Sequence, residues 1–122
     1  MKNNPLISVV IPLYNKEKTI EQSLNSVLLQ KGCEFEVVVV DDGSTDNSVE
    51  QVKKINNSKI KLVSQSNGGP GAARNTGAQA ANGDWLVFLD ADDELLPDAL
   101  KGFADAILAH PDVDIFDANK YI

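Results

Sequence analysis

The chain has 122 residues, of which 43% are hydrophobic and 24% charged, a composition typical of one folded domain rather than a disordered or fibrous chain. Its formal net charge of -7 argues against a general affinity for nucleic acid, so no nucleic-acid partner is expected. A single cysteine, Cys33, excludes an internal disulfide and a cysteine-rich metal site. We therefore expect a single domain over 1–122 in the reducing cytoplasm, without a membrane segment; a longer native chain could lie at the cytoplasmic face of a membrane.

A strand is predicted first, over 7–11, because a short β-branched run ends there at a proline. A helix follows, with Asn15 or Thr19 as its N-cap. Its apolar residues recur at helical spacing, namely Ile20, Leu24, Val27 and Leu28. A second strand over 36–40 contains four consecutive valines, which favours burial on both faces of a sheet.

The second helix is predicted to start near Asn47, with Glu50 three residues later completing a capping box. A third strand over 59–64 comes next. An alanine-rich third helix is predicted over 71–81, and Gly83 ends it.

A fourth strand is predicted over 85–89, and Pro97 suits the first turn of a fourth helix. The apolar face of that helix consists of Leu100, Phe103, Ala104, Ile107 and Leu108. A final strand is predicted over 113–118. This alternation predicts an α/β fold, with an open, mainly parallel sheet and helices on both faces.

Polar loops follow the first four predicted strands, at 12–15, 41–44, 65–69 and 90–93. In open α/β sheets, ligands bind outside the carboxyl ends of the strands. We therefore expect these loops to converge on one site, and a nucleotide is a suitable ligand.

Three acidic residues, Asp90, Asp92 and Asp93, follow the fourth strand. Two carboxylates about 5 Å apart repel by roughly 3 kcal/mol at an effective dielectric of 20. A divalent cation, Mg²⁺ or Mn²⁺, would offset this repulsion and bind phosphate oxygens as well. The alternative is a solvated turn before the fourth helix.

Asp41 and Asp42 follow the second strand, and both fit a turn. Because their side chains alternate, one of them can face the crevice and accept a hydrogen bond from a base or ribose, and we favour Asp42 for the base. The stretch 68–75 opens the third helix, whose free N–H groups suit a phosphate, with Arg74 as an added cation. A glycine–proline turn with a solvated Arg74 is the alternative.

Four segments, 8–15, 40–46, 71–77 and 88–93, resemble in order and spacing the motifs of family 2 glycosyltransferases. The resemblance implies the Rossmann-like GT-A fold of nucleotide-diphospho-sugar transferases. It also implies transfer of a sugar from a nucleoside diphosphate to an acceptor hydroxyl, with inversion at the anomeric carbon. The donor expected is a UDP-sugar, and the acceptor a saccharide, a lipid-linked molecule or a protein, as in polysaccharide biosynthesis.

The same resemblance implies nucleotide-binding roles at five positions, which are Pro12, Tyr14, Asp42, Arg74 and Asp90. Pro12 and Tyr14 would flank the nucleoside, and Asp42 would bond the base. Asp90 and Asp92 look like the acids of the family's DXD motif, with Asp92 the direct ligand of Mn²⁺ or Mg²⁺ and Asp90 nearer the ribose or sugar.

One departure from the family concerns the acceptor half, which supplies the catalytic base and follows the last predicted strand in other members. No acid after Asp93 stands in a recognisable base motif, since Asp112, Asp114 and Asp117 lie in or beside a predicted strand. A truncated domain that binds donor is therefore expected, with the base outside this chain.

Three other functions compete with this interpretation. A NAD-dependent dehydrogenase requires a G-x-G-x-x-G loop after the first strand, where Pro12-Leu13-Tyr14-Asn15 stands instead. A phospho-accepting receiver domain would place its paired acids after the first strand, whereas here they follow the second. A non-catalytic nucleotide-sugar-binding module, or an inactive fragment, is the main alternative to an enzyme.

Overall fold

The computed structural model describes residues 5–110 as alternating strands and helices. The strands are β1 (Leu6–Leu13), β2 (Glu34–Asp41), β3 (Ile60–Ser64) and β4 (Trp85–Phe88). The helices are α1 (Ile20–Leu28), α2 (Ser48–Ile55), α3 (Pro70–Ala80) and α4 (Ala99–Ala109). The strand predicted over 113–118 lies outside the described residues. Within 5–110, no helix combines the length and the apolar character needed to cross a bilayer.

The strands form one parallel sheet in the order β3-β2-β1-β4. β1 is central, with Val9 paired to Val37 of β2 on one side and to Val87 of β4 on the other. The chain therefore builds β1, β2 and β3 outward in one direction and then returns past β1 to form β4. This arrangement confirms the predicted open parallel α/β sheet.

Helices cover both faces of the sheet because successive strand residues point to opposite sides. One face packs against α1, α2 and α4 through an apolar cluster that includes Val9, Leu24, Val39, Val52 and Leu100. The other face packs against α3 through Val10, Val38, Val40 and Ala73. Burying each of these larger aliphatic side chains contributes roughly 1.5–3 kcal/mol, so the β-branched runs that define the strands also hold the layers together.

Helix α3 lies close to the sheet at Gly77. A Cβ at this position would collide with Val10 and lie 3.2 Å from Cγ2 of Val40. The small residues of α3 therefore bring its N-terminus near the ends of β1 and β2.

The predicted capping box of α2 is wrong. Asn47 occupies the N-cap position but makes no side-chain capping bond. Instead, Oδ1 of Asp46 accepts hydrogen bonds from the backbone N–H of Ser48 at 2.9 Å and from its hydroxyl at 2.6 Å. The backbone N–H of Asn47 donates to Glu17, 30 residues earlier, so Glu50 is not its partner.

One of the two residues predicted to cap α1, Thr19, occupies the N-cap position, but neither it nor Asn15 caps the helix through its side chain. Asn15 adopts a left-handed conformation, with φ of 50°, and its Oδ1 accepts a hydrogen bond from the N–H of Thr45 at 2.8 Å. Thr19 occupies the N-cap position, but its hydroxyl donates to the carbonyl of Ala91 at 2.9 Å. Both side chains therefore join the start of α1 to neighbouring loops.

Helix α4 begins later than predicted, because Asp98 is left-handed, with φ of 65°, and separates Pro97 from the first helical turn at Ala99. Its last predicted core residue, Leu108, is 51% exposed. The apolar face of α4 is thus buried only in its first half.

Strand β4 is buried on one face only, since Leu86 and Phe88 are each 39% exposed. Val87 points to the other face and is buried. The reason is the position of α3, which packs over β1 and β2.

Candidate nucleotide and cation site

A cavity of about 570 Å³ opens between the carboxyl ends of β1, β2 and β4 and the start of α3. All six residues with a predicted nucleotide or cation role line it, namely Pro12, Tyr14, Asp42, Arg74, Asp90 and Asp92. The loops that carry them are up to 80 residues apart in the sequence. The sheet order brings them together, since the direction of chain progression reverses beside β1, and such a switch point creates a crevice at the strand ends.

The acidic loop after β4 holds three carboxylates in one cluster. Ligand oxygens from Asp90, Asp92 and Asp93 all lie within 4.8 Å of one another. Burial, and then the negative charges of Asp92 and Asp90, raise the pKa of Asp93 above its usual range. Hard carboxylate oxygens beside an open cavity fit Mg²⁺ or Mn²⁺, which keep coordination positions for phosphate oxygens.

Two basic side chains lie beside this cluster, one at Asp90 and the other at Asp92. Arg74 of α3 lies 3.4 Å from Oδ1 of Asp90, and the ammonium of Lys16 lies 3.9 Å from Oδ2 of Asp92. All four side chains are substantially exposed, so each pair contributes at most about 1 kcal/mol. A divalent cation can therefore replace these contacts at low cost, and the two basic groups are then available to phosphate oxygens.

Asp42 is buried at the base of the cavity, and its carboxylate is engaged by the loop that precedes α3. Oδ1 accepts hydrogen bonds from Nε2 of Gln65 at 2.9 Å and from the N–H of Gly68 at 2.8 Å, while Oδ2 accepts one from the N–H of Gly69 at 2.9 Å. The bond from Gln65, and next that from Gly68, hold the pKa of Asp42 below its usual range, with Gly69 adding to them against the effect of burial. Asp42 thus organises the cavity floor as well as lining it.

The start of α3 offers fewer phosphate donors than the sequence predicts. The N–H groups of Gly68 and Gly69 already bond Asp42, and Pro70 has no N–H. Arg74 is consequently the strong donor from this helix that lines the cavity.

Two further residues line the cavity, Lys16 and Asn67. Asn67 lies in the 65–69 loop that was predicted to converge on the site, although no role was predicted for it, and its Nδ2 donates to the carbonyl of Asp42 at 3.1 Å. Lys16 was not predicted, and its position directly after the 12–15 segment was the available signal. Its backbone N–H donates to the hydroxyl of Ser48 at 2.8 Å.

Residues 8–122 match the profile of the family described as glycosyl transferase family 2. The chain belongs to this family. Its fold agrees, since the similar solved structures are GT-A glycosyltransferases that superpose with TM-scores of 0.80 and 0.78.

Three relatives illustrate the similarity of this family 2 member. It is 42% identical over 102 residues to an uncharacterized glycosyltransferase of Haemophilus influenzae, covering 81% of this chain and 41% of that protein. Staphylococcus aureus TarS 1–349 in complex with UDP-GlcNAc superposes with a TM-score of 0.81 at 42% identity, over 86% of this chain and 32% of that one. The mannosyltransferase PcManGT of Pyrobaculum calidifontis, in complex with GDP-Man and Mn²⁺, gives 0.78 at 31% identity, over 89% and 33%.

The chain spans between about a third and two fifths of the length of these relatives. TarS is a poly(ribitol-phosphate) β-N-acetylglucosaminyltransferase. Relatives with assigned names include TarS and a chondroitin synthase, and this chain matches a part of each.

Proposed function

We propose that this chain binds the nucleoside-diphosphate sugar of an inverting glycosyltransferase, with a UDP-sugar as the preferred donor. The observation that carries the proposal is one cavity lined both by Pro12, Tyr14 and Asp42 and by the acidic loop and Arg74. A nucleotide sugar combines a planar base with a charged diphosphate, and these two groups of residues suit those two parts. TarS, at 42% identity, is the basis for favouring uridine over the guanosine of the more distant PcManGT.

The proposed cation is Mn²⁺ or Mg²⁺, held by Asp92 with Asp90 beside it. Ligand oxygens of three carboxylates lie within 4.8 Å of one another, so the carboxylates repel one another. The exposed side chains of Lys16 and Arg74 offset this repulsion only weakly. When bound, the cation supplies Lewis-acid stabilisation of the negative charge that develops on the departing diphosphate. Arg74 is placed to add a hydrogen-bond donor to the same phosphates.

At the nucleoside end, Tyr14 is 46% exposed at the mouth of the cavity and offers an aromatic face to a base. Pro12 forms the adjacent wall at the end of β1. Asp42 is proposed to contact the base, and because its oxygens already accept three hydrogen bonds, it would add a further acceptor contact through a remaining lone pair.

The acceptor is proposed to be a saccharide, a lipid-linked molecule or a protein hydroxyl in polysaccharide biosynthesis, which would take place in the cytoplasm or at the cytoplasmic face of a membrane. Chondroitin synthase of Pasteurella multocida, 39% identical over 99 residues, is among the relatives that motivate this proposal. The lone half-buried Cys33 fits a reducing compartment.

Isothermal titration calorimetry of UDP, GDP and pyrophosphate, each in Mn²⁺ and in excess chelator, tests the proposal. We expect UDP to bind more tightly than GDP and Mn²⁺ to strengthen UDP binding. Asp92→Asn should remove the Mn²⁺ increment while leaving UDP binding in chelator unchanged. Glu94→Gln, which neutralises a neighbouring acid outside the cluster, is the matched control. Equal UDP affinity in Mn²⁺ and in chelator would refute the cation role, and no UDP binding in either would refute the nucleotide site.

A further inference from the structure

Four polar side chains extend from the N-cap of α1 to just past its C-terminus, and we call them the α1 polar stripe. They are Thr19 at the N-cap, Ser23 and Ser26 within the helix, and Gln30 after the C-cap Leu29, at the spacing i, i+4, i+7 and i+11. Ser23 is 1% exposed and Gln30 is 7% exposed. Polar side chains buried in this way are normally satisfied by specific partners. Two hydrogen bonds stay within the stripe, from the Ser26 hydroxyl to the Ser23 carbonyl and from Gln30 Nε2 to the Ser26 carbonyl, and the other partners belong to one segment of the chain.

That segment is the acidic loop and the residues directly after it. The hydroxyl of Thr19 donates to the carbonyl of Ala91 at 2.9 Å. The hydroxyl of Ser23 lies 2.8 Å from the same carbonyl and 2.5 Å from that of Asp93, and it shares its one proton between them. The carbonyls on either side of Asp92 are therefore both fixed to α1.

The other two residues of the stripe, Ser26 and Gln30, bond the backbone that follows the acidic loop. The hydroxyl of Ser26 accepts a hydrogen bond from the N–H of Leu95 at 3.0 Å. The amide of Gln30 donates to the carbonyl of Leu96 and accepts from the N–H of Leu100. The two ends of the stripe thus have separate tasks, with Thr19 and Ser23 at the acids and Gln30 at the start of α4.

A fixed backbone matters at this place because the three carboxylates repel one another and the side chains of Asp90 and Asp92 extend into an open cavity. Helix α1 is a rigid anchor, since Ile20, Leu24 and Val27 on its apolar face are fully buried. Fixing the carbonyls of Ala91 and Asp93 fixes the peptide planes on which the directions of the intervening side chains depend.

We infer that Ser23, assisted by Thr19, is a positioning residue that holds the acidic loop in its cation-binding arrangement. This inference rests on the proposed cation site. Among the described residues, α1 contributes no side chain to the cavity lining. The inference means that α1 nevertheless affects the affinity of the site for the cation. Groups that orient metal ligands typically change metal affinity by 10–100-fold when they are removed.

The test is the affinity for Mn²⁺ itself, measured in the presence of UDP by calorimetry and by the electron paramagnetic resonance signal of free Mn²⁺. We expect Ser23→Ala to weaken Mn²⁺ binding by roughly tenfold, near the lower end for residues that orient metal ligands. UDP affinity in excess chelator should stay unchanged, because the nucleoside wall and Arg74 do not depend on the stripe.

Gln30→Ala is the matched control. It removes a buried polar group from the same stripe and should lower the melting temperature, but it should leave Mn²⁺ affinity unchanged. Thr19→Val, which removes one hydroxyl at nearly constant shape, should weaken Mn²⁺ binding less than Ser23→Ala does. Circular dichroism checks that each variant is folded. If Ser23→Ala does not fold, the Mn²⁺ affinity of Thr19→Val is the test, and weaker Mn²⁺ binding supports the inference while unchanged binding overturns it.

Unchanged Mn²⁺ affinity in Ser23→Ala, or an equal loss in Gln30→Ala, overturns the inference. Absence of Mn²⁺ binding by the unmodified chain with UDP is a different result, because it refutes the proposed cation site and the inference falls with it.

Discussion

Replacing Asp42 by alanine should destabilise the chain far more than replacing its neighbour Asp41. The Asp42 carboxylate accepts three hydrogen bonds of 2.8–2.9 Å from Gln65, Gly68 and Gly69. Each bond to a charged group contributes about 1.5–3 kcal/mol, and water entering from the open cavity can partly replace the carboxylate, so we expect a loss of about 3–5 kcal/mol.

Asp41 is also buried, but its Oδ1 accepts one hydrogen bond, from the N–H of Ser44 at 3.2 Å, so Asp41→Ala should cost about 1 kcal/mol. Urea unfolding at pH 7, followed by circular dichroism, measures both free energies. If Asp41→Ala costs as much as Asp42→Ala, the carboxylate of Asp42 does not organise the loop before α3.

The pH dependence gives an independent check on the same carboxylate. Hydrogen bonds, the one from Gln65 first, lower the pKa of Asp42 in the folded state below its value in the unfolded chain, which is about 3.9. In the window between these two values the unfolded chain binds more protons, so the stabilisation rises with pH there. The difference between the unmodified chain and Asp42→Ala should be constant above about pH 5 and should shrink as the pH falls through the lowered pKa of Asp42.

Two further predictions concern charge and packing. Lys16→Met removes the ammonium 3.9 Å from Asp92 and should strengthen Mn²⁺ binding in the absence of nucleotide by about two- to fivefold. Lys18→Met makes the same change in net charge and should leave Mn²⁺ affinity unchanged. A Mn²⁺ titration followed by electron paramagnetic resonance compares the two variants. Gly77→Ala places a Cβ against the side chains of β1 and β2 and should lower the free energy of unfolding by about 1–3 kcal/mol. Gly71→Ala lies in the same helix with nothing within 4 Å of the added Cβ, so it should raise that free energy by up to about 1 kcal/mol. Equal effects of the two changes in urea unfolding would contradict this prediction.

The fold was predictable from the sequence where local chemistry decides it. Four consecutive buried valines lie within β2, and the apolar spacing of α1 matches its buried residues Ile20, Leu24 and Val27. The positions of the cavity residues were also predictable, because carboxyl ends of parallel strands meet at one edge of a sheet. Neither inference requires knowledge of contacts between distant residues.

The errors arose where partners distant in sequence decide the structure. Asn47 occupies the N-cap position of α2, but its N–H donates to Glu17, 30 residues earlier, and the side chain of Asp46 accepts the hydrogen bond from the first N–H of the helix. The three hydrogen bonds that engage Asp42 also come from residues 23 to 27 positions further along, which local rules do not report. The exposure of Leu86 and Phe88 likewise depends on where α3 packs, which hydropathy does not report.

The cavity carboxylates also bear on whether donor binding by this segment is accompanied by sugar transfer. Asp42 is engaged by three hydrogen bonds, and Asp90 and Asp92 are assigned to the cation. Among the described residues, no other acid lines the cavity to deprotonate an acceptor hydroxyl. The base is therefore proposed to come from outside residues 5–110.

We predict that these 122 residues bind donor but transfer sugar far more slowly than a C-terminally extended native chain. Correct placement of acceptor and base can lower a barrier by ~7–11 kcal/mol, and general base catalysis adds typically ~10²–10⁴-fold. A donor site provides neither, so its expected activity is slow, cation-dependent hydrolysis in which water replaces the acceptor. The measurement compares both chains with the same UDP-sugars and a mixed acceptor pool, and a reaction without acceptor gives the hydrolysis rate. Equal turnover of acceptor by the two chains would contradict the prediction and direct the search for the base to Asp112, Asp114 and Asp117.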